Sequence, residues 1–145
     1  MKKLVSLLIV PGLFLTFGAS AQSTKWVKTL DEQVNCKKIS LQESNLKIVL
    51  ESGEKKVLPQ DEVLLYCTGD QIFKKLPIYI DKLQKEVFME FIKARDELSL
   101  YKYTVETKEK IMENRYFVYK GNEFYIGVGD GNREEYEKYF FVQLY

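Results

Sequence analysis

The stretch "RYFVYKGNEFYIGV", residues 115–128, limits the choice of fold more than any other part of the chain. Two aromatic and β-branched runs, 115–119 and 123–128, flank Lys120-Gly121-Asn122-Glu123, and Gly121-Asn122 are residues that tolerate a positive φ. Side chains of this kind suit a pleated, half-buried surface. The segment therefore reads as an antiparallel hairpin. The same logic extends upstream. In "LKIVLESGEKKVL" Leu46, Ile48 and Leu50 alternate with Lys47, Val49 and Glu51, Ser52-Gly53-Glu54 turns the chain, and a return strand begins at Lys56. "VLLYC" (63–67) reads as a strand buried on both faces, and "LSLYKYTV" (98–105) is strongly β. Pro77 lies within "IFKKLPIYI" and marks 72–80 as a bent or edge strand.

One segment reads two ways. In 81–98 the apolar residues Leu83, Val87, Phe91, Ala94 and Leu98 follow a helical period, and Asp81 with Gln84 resembles a capping box. The same residues also make the strand "EVFMEFIK", a turn at "ARDE" and the start of the next strand. The fold class is mainly β (α+β): an antiparallel meander or small, partly open barrel of about seven to eight short strands. A short C-terminal helix follows, and a helix at 81–98 is the alternative.

The N-terminus carries an address. Lys2 and Lys3 precede an apolar run from Leu4 to Phe17, and Ala19-Ser20-Ala21 supplies small residues before Gln22. This three-part pattern predicts a signal peptide over 1–21, cleaved before Gln22. The run is too short, and too broken by Pro11-Gly12, for a spanning helix, so no integral membrane span is expected after cleavage. Loss of Lys2 and Lys3 takes the formal net charge from +1 to −1. A near-neutral chain of mixed signs gives no expectation of nucleic acid as a partner. Residues 22–45 are expected to be a partly ordered N-terminal segment and 46–145 a single β-rich domain. For an exported chain the even cysteine count favours a disulfide between Cys36 and Cys67, closing a loop of about 30 residues and contributing about 3 kcal/mol.

There is no histidine, which removes the usual general base and the commonest transition-metal ligand. Two cysteines do not make a tetrahedral zinc site. Carboxylates are plentiful but lie in solvated patterns such as "ESGEKK" and "VETKEK". No catalytic, cofactor-binding or metal-binding residue is assigned, and the chain is not read as an enzyme.

"GVGDGN" (127–132) is the strongest motif-like run. Its spacing is G-x-G-x-G rather than that of a dinucleotide fingerprint, and too little chain follows for a βαβ unit. As a calcium loop it has Glu135 where glycine is needed and Phe141 where glutamate is needed. It reads as a strand stop followed by a short helix, capped by Asn132 with Glu135, in which Tyr136, Tyr139, Phe140 and Leu144 share a face. Eight of the ten tyrosines lie in residues 101–145. Tyr101, Tyr103, Tyr116, Tyr119 and Tyr125 are the candidates for an aromatic binding surface for a glycan or an envelope protein. The competing reading is a β-core and its rim.

The stretches Leu46–Tyr66, Val87–Tyr103 and Arg115–Tyr125 resemble a group of small exported proteins of Bacteroidota. In that group a strand, a turn glycine and a second strand precede an "sLYkY" strand and a "yFvyk" strand. Its members usually carry a glycine turn before the LY strand, where this chain has Ala94-Arg95-Asp96. The resemblance implies a β-rich fold with 86–93 as a strand, and it transfers no active residue. The functional expectation is an exported, periplasmic or surface-facing, non-catalytic domain that binds an envelope protein or glycan. A small outer-membrane β-barrel and a binder of a small apolar ligand are the alternatives.

Overall fold

The computed structural model describes residues 24–80 and 83–145; the predicted signal peptide lies outside the described residues. The described chain forms ten strands, β1 Lys25–Thr29, β2 Gln33–Leu41, β3 Asn45–Leu50, β4 Lys55–Pro59, β5 Val63–Cys67, β6 Ile72–Ile80, β7 Leu83–Arg95, β8 Leu98–Glu106, β9 Met112–Lys120 and β10 Glu123–Val128, then one helix, α1 Arg133–Phe140. All ten strands join one open antiparallel sheet in the order β10-β9-β8-β7-β6-β5-β1-β2-β3-β4. The antiparallel meander and C-terminal helix expected from the sequence are present, with ten strands rather than seven or eight. Residues 24–45, the described part of the segment 22–45 expected to be only partly ordered, supply β1 and β2, and β1 lies in the interior of the sheet between β5 and β2.

Within segment 81–98 the described residues, 83–98, take the strand alternative. Phe91 pairs with Tyr101 and Arg95 with Leu98 across a two-residue turn. Asp96 sits there at φ 52°, the place usually given to glycine. Its carboxylate accepts a hydrogen bond from the Tyr139 hydroxyl at 2.9 Å. A helix over 81–98 would have left β6 and β8 without their shared neighbour.

The connections force curvature. Strand β4 is at one edge, four positions from β5, which on a flat sheet means about 19 Å. Only Gln60–Glu62, a single 3-10 turn, joins them, and it spans less than half of that. The five N-terminal strands therefore curl until β4 and β5 approach. Lys75 of β6 holds this closure, its ammonium donating to the carbonyls of Gln60 and Asp61 at 2.9 Å each.

The C-terminal strands curl toward the opposite face. Along a strand, successive side chains alternate between faces. Phe73 packs with Val27, Cys36, Leu46, Ile48, Val63 and Tyr66 inside the N-terminal half. Leu76 and Ile78 of the same strand pack with Met89, Tyr101 and Tyr119 inside the C-terminal half. Past Lys74 strand β6 has no partner on its β5 side, and β10 approaches that free edge through side chains. The Tyr119 hydroxyl donates to the Pro77 carbonyl at 2.7 Å, and the Tyr79 and Phe124 rings lie 5.8 Å apart. Pro77 has no N–H to offer there, as a free edge allows, so the expectation of a bent or edge strand holds for this half of β6.

Helix α1 covers the remaining face, where Phe140, Leu144, Tyr136 and Tyr139 pack on Leu100 and Val118. The shared face read from the sequence is the one buried. Arg95 holds the helix end, donating to the Tyr139 carbonyl at 2.6 Å with its guanidinium 4.7 Å from the Tyr139 ring centre. The expected capping box is absent: the Asn132 side chain makes no cap hydrogen bond to the helix. It turns back to the preceding loop instead.

The expected disulfide is also absent. Cys36 and Cys67 are both buried free thiols. Cys36 pairs with Lys25 and Cys67 with Trp26 on either side of β1, so one whole strand separates them and they face opposite sides of the sheet. Two strand spacings come to about 10 Å, beyond the reach of a disulfide.

Candidate functional site

The two arms of the β9–β10 hairpin are unequal. Strand β9 begins at Met112, whereas β10 stops where Val128 pairs with Tyr116. The Asn132 side chain stops it, its carbonyl oxygen accepting from the Gly129 N–H at 2.8 Å and its amide donating to the Gly127 carbonyl at 3.2 Å. The chain then leaves the sheet for α1, and residues Met112–Arg115 of β9 have a neighbour only in β8.

In an antiparallel ladder the backbone groups of successive residues point alternately to the two neighbours. Lys120 and Glu123 close the two-residue turn toward β10, so the even-numbered residues of β9 present their N–H and C=O on that side. Met112 and Asn114 therefore direct two donors and two acceptors into the space that β10 leaves. Above that space lies a groove of about 500 Å³, walled by 113–117, 127–130, Arg133 and the tail residues Leu144 and Tyr145.

The glycines of "GVGDGN" shape this groove. None of Gly127, Gly129 and Gly131 is at positive φ. A Cβ at Gly129 or Gly131 would meet nothing within 4 Å, and one at Gly127 only the Phe117 ring at 3.8 Å. Backbone strain does not demand them; they leave the wall bare. The run is the strand stop that its spacing indicates, and stopping the strand is what opens the groove.

The two arginines along it are each compensated by a nearby carboxylate. Arg115 lies 3.4 Å from Glu113, and Arg133 donates from Nε to Glu137 at 2.9 Å. The Arg133 hydrogen bond, and after it the Leu144 N–H at 3.0 Å, hold the Glu137 carboxyl below its ordinary pKa. These contacts tie the C-terminal tail over α1. Among the described residues no three of His, Cys, Asp and Glu converge as metal ligands, and no helix is long and apolar enough to cross a membrane.

The five candidate tyrosines do not form one platform. Tyr101 and Tyr119 are buried inside the C-terminal half with Tyr103 packed against them, and burial pushes the hydroxyl pKa of both Tyr101 and Tyr119 up. Tyr116 faces the other side of the sheet, lines the groove, and donates to the Tyr145 carbonyl at 3.1 Å. Tyr125 is exposed at the irregularity between Phe124 and Ile126. The core-and-rim reading accounts for four of them.

Comparison with models of known protein families, with curated proteins and with solved structures gives no match. The site therefore rests on its own geometry. Sequence reasoning missed it because "ETKEKIMENR" looks like a polar linker, whereas β8 runs to Glu106 and β9 starts at Met112. Met112-Glu113-Asn114-Arg115 is exposed throughout and carries no apolar alternation, so only its pairing with β8 marks it as strand.

Proposed function

We propose that this chain is an exported, non-catalytic interaction domain of a bacterial cell envelope that takes an extended segment of a partner protein as an added strand beside β9. The observation that carries this reading is the pair of residues Met112 and Asn114, whose backbone groups face the groove with no strand opposite them. Strand addition uses such groups for affinity and the flanking pockets for selectivity. Each backbone hydrogen bond contributes about 1 kcal/mol net, so side chains set in the groove must supply the rest. Ile111 and Met112, exposed immediately before the groove residues along the chain, offer apolar contact for them. The signal-peptide pattern and the resemblance to exported Bacteroidota proteins support the location. The open sheet lends nothing to the outer-membrane barrel, because strands crossing a bilayer must close on themselves.

The test is affinity selection of extended decapeptides on the mature protein, followed by Asn114→Pro. The Asn114 N–H points away from β8, so proline removes a groove donor without removing a bond of the β8–β9 ladder. Selected peptides are expected to lose about fivefold or more in affinity with the circular dichroism spectrum unchanged. Peptides that bind the proline variant as tightly as the parent would refute the reading.

A further inference from the structure

We infer that the outer face of β2, β3 and β4 is a second binding surface, specific for an anionic polysaccharide. Strands β1–β4 carry seven lysines, and neither they nor β5 contain a single Asp or Glu. Every acid between residues 24 and 71 lies in a turn or connection instead. The near-zero net charge conceals this segregation.

A second observation separates this face from an ordinary solvated surface. The four ion pairs among the described residues, Glu90–Lys102, Glu113–Arg115, Glu97–Lys120 and Arg133–Glu137, all lie in the C-terminal half. Lys102, Arg115, Lys120 and Arg133 of that half are thus matched within the fold, whereas no lysine of β1–β4 is in an ion pair among the described residues. The register then groups three of them. Lys38 and Lys55 both flank Val49, and Ser40 and Val57 both flank Lys47. These six side chains line one shallow groove of about 390 Å³.

Lys38 and Lys55 stand about 10 Å apart across β3, two strand spacings, with Lys47 offset between them. A sugar chain bearing one acid per disaccharide presents charges at a similar interval. Ammonium groups on flexible stems act as hydrated point charges, without the rigid fork that guanidinium brings to phosphate. The six residues also provide no aromatic ring for base stacking, the usual partner of a basic groove for single-stranded nucleic acid. Carboxylated or sulfated sugars fit this chemistry best, and Ser40 supplies a hydroxyl for the ring oxygens.

The experiment is a titration of the mature protein with fluorescein-labelled dextran sulfate at about 50 mM salt, where unscreened attraction is readable. Uncharged dextran and duplex DNA at equal charge concentration serve as comparators. Binding to dextran sulfate is expected to weaken steeply with salt. Lys38→Gln/Lys47→Gln/Lys55→Gln should lose about tenfold or more, with a shallower salt slope. Lys85→Gln/Lys93→Gln/Lys108→Gln, which removes the same charge from the other half, should stay within about twofold of the parent. Equal losses in the two variants would reduce the effect to net charge and overturn the inference. So would absence of binding to dextran sulfate, or DNA binding as tight as that of the polysaccharide.

Discussion

Tyr119→Phe removes a single oxygen from the interior of the C-terminal half, and with it the hydrogen bond that links β9 to the free edge of β6. The Tyr119 side chain is fully buried, and its hydroxyl is 2.7 Å from the Pro77 carbonyl. Loss of a neutral hydrogen bond with its acceptor left in place costs about 1–2 kcal/mol. Pro77 is half-buried, so water recovers part of that and the lower end is expected. For a domain of this size the midpoint of thermal unfolding should fall by about 3–8 °C. Urea titration should give the same loss with an unchanged m-value. Tyr119→Leu separates the hydroxyl from the ring. It also removes the edge-on contacts with Tyr101, at 5.6 Å, and Phe124, at 5.8 Å, and should cost about 3–4 kcal/mol. Hydrogen exchange at β10 should rise in both variants before the global transition. A phenylalanine variant as stable as the parent would show that the hydroxyl does not hold the two strand edges together.

Three further outcomes are expected. Glu137 is held below its ordinary pKa, so its contribution is present above about pH 4.3 and is lost as pH falls through the depressed value; the Leu144 amide, which Glu137 accepts from, should then exchange freely while the sheet persists, and protection that is already lost above about pH 4.3 would count against this. Mass spectrometry of protein recovered without reduction should find two thiols, unreactive until denaturant is added because both are buried; a mass two hydrogens lower would contradict the register of β1. Burial raises the Tyr66 hydroxyl to about 12, so its share of stability is complete below about pH 10 and disappears as pH climbs toward 12; absorbance at about 295 nm, where tyrosinate is read, should show Tyr66→Phe lacking one late-titrating group.

The hairpin at 115–128, the alternation in 46–58 and the buried face of α1 were legible because each is a local pattern with its own turn or cap residues. The 81–98 segment was not settled by periodicity: Leu83, Val87, Phe91, Ala94 and Leu98 satisfy a helix, and the strand prevails because β6 and β8 pair along its flanks. Strands β1 and β2 were missed for a related reason. "KWVKT" is short and "QVNCKKISL" mixes polar residues with apolar ones, and only the neighbours in the sheet supply the burial of Val27 and Cys36. Tyrosine counts could not show which face each ring occupies. The groove escaped because it is an absence, a strand ending four residues early, and no single residue carries that.

The two halves meet through a narrow ladder. Strand β5 pairs with β6 over only Leu65–Cys67 and Ile72–Lys74, reinforced by the Tyr66 ring stacked on Phe73 at 4.9 Å and edge-on to Phe88 at 5.1 Å. On the other side of β5 comes the one pairing, among the described residues, between strands that are not successive along the chain, β1 with β5. Synthesis runs from the amino end, and β1 to β4 can zip up as successive hairpins while the inner edge of β1 waits for a strand not yet made. Until β5 arrives, that edge is open to any other extended chain, a nascent copy of the same protein included. The interval between the appearance of β1 and that of β5 thus bears on the yield of this protein more than the stability of its finished sheet does.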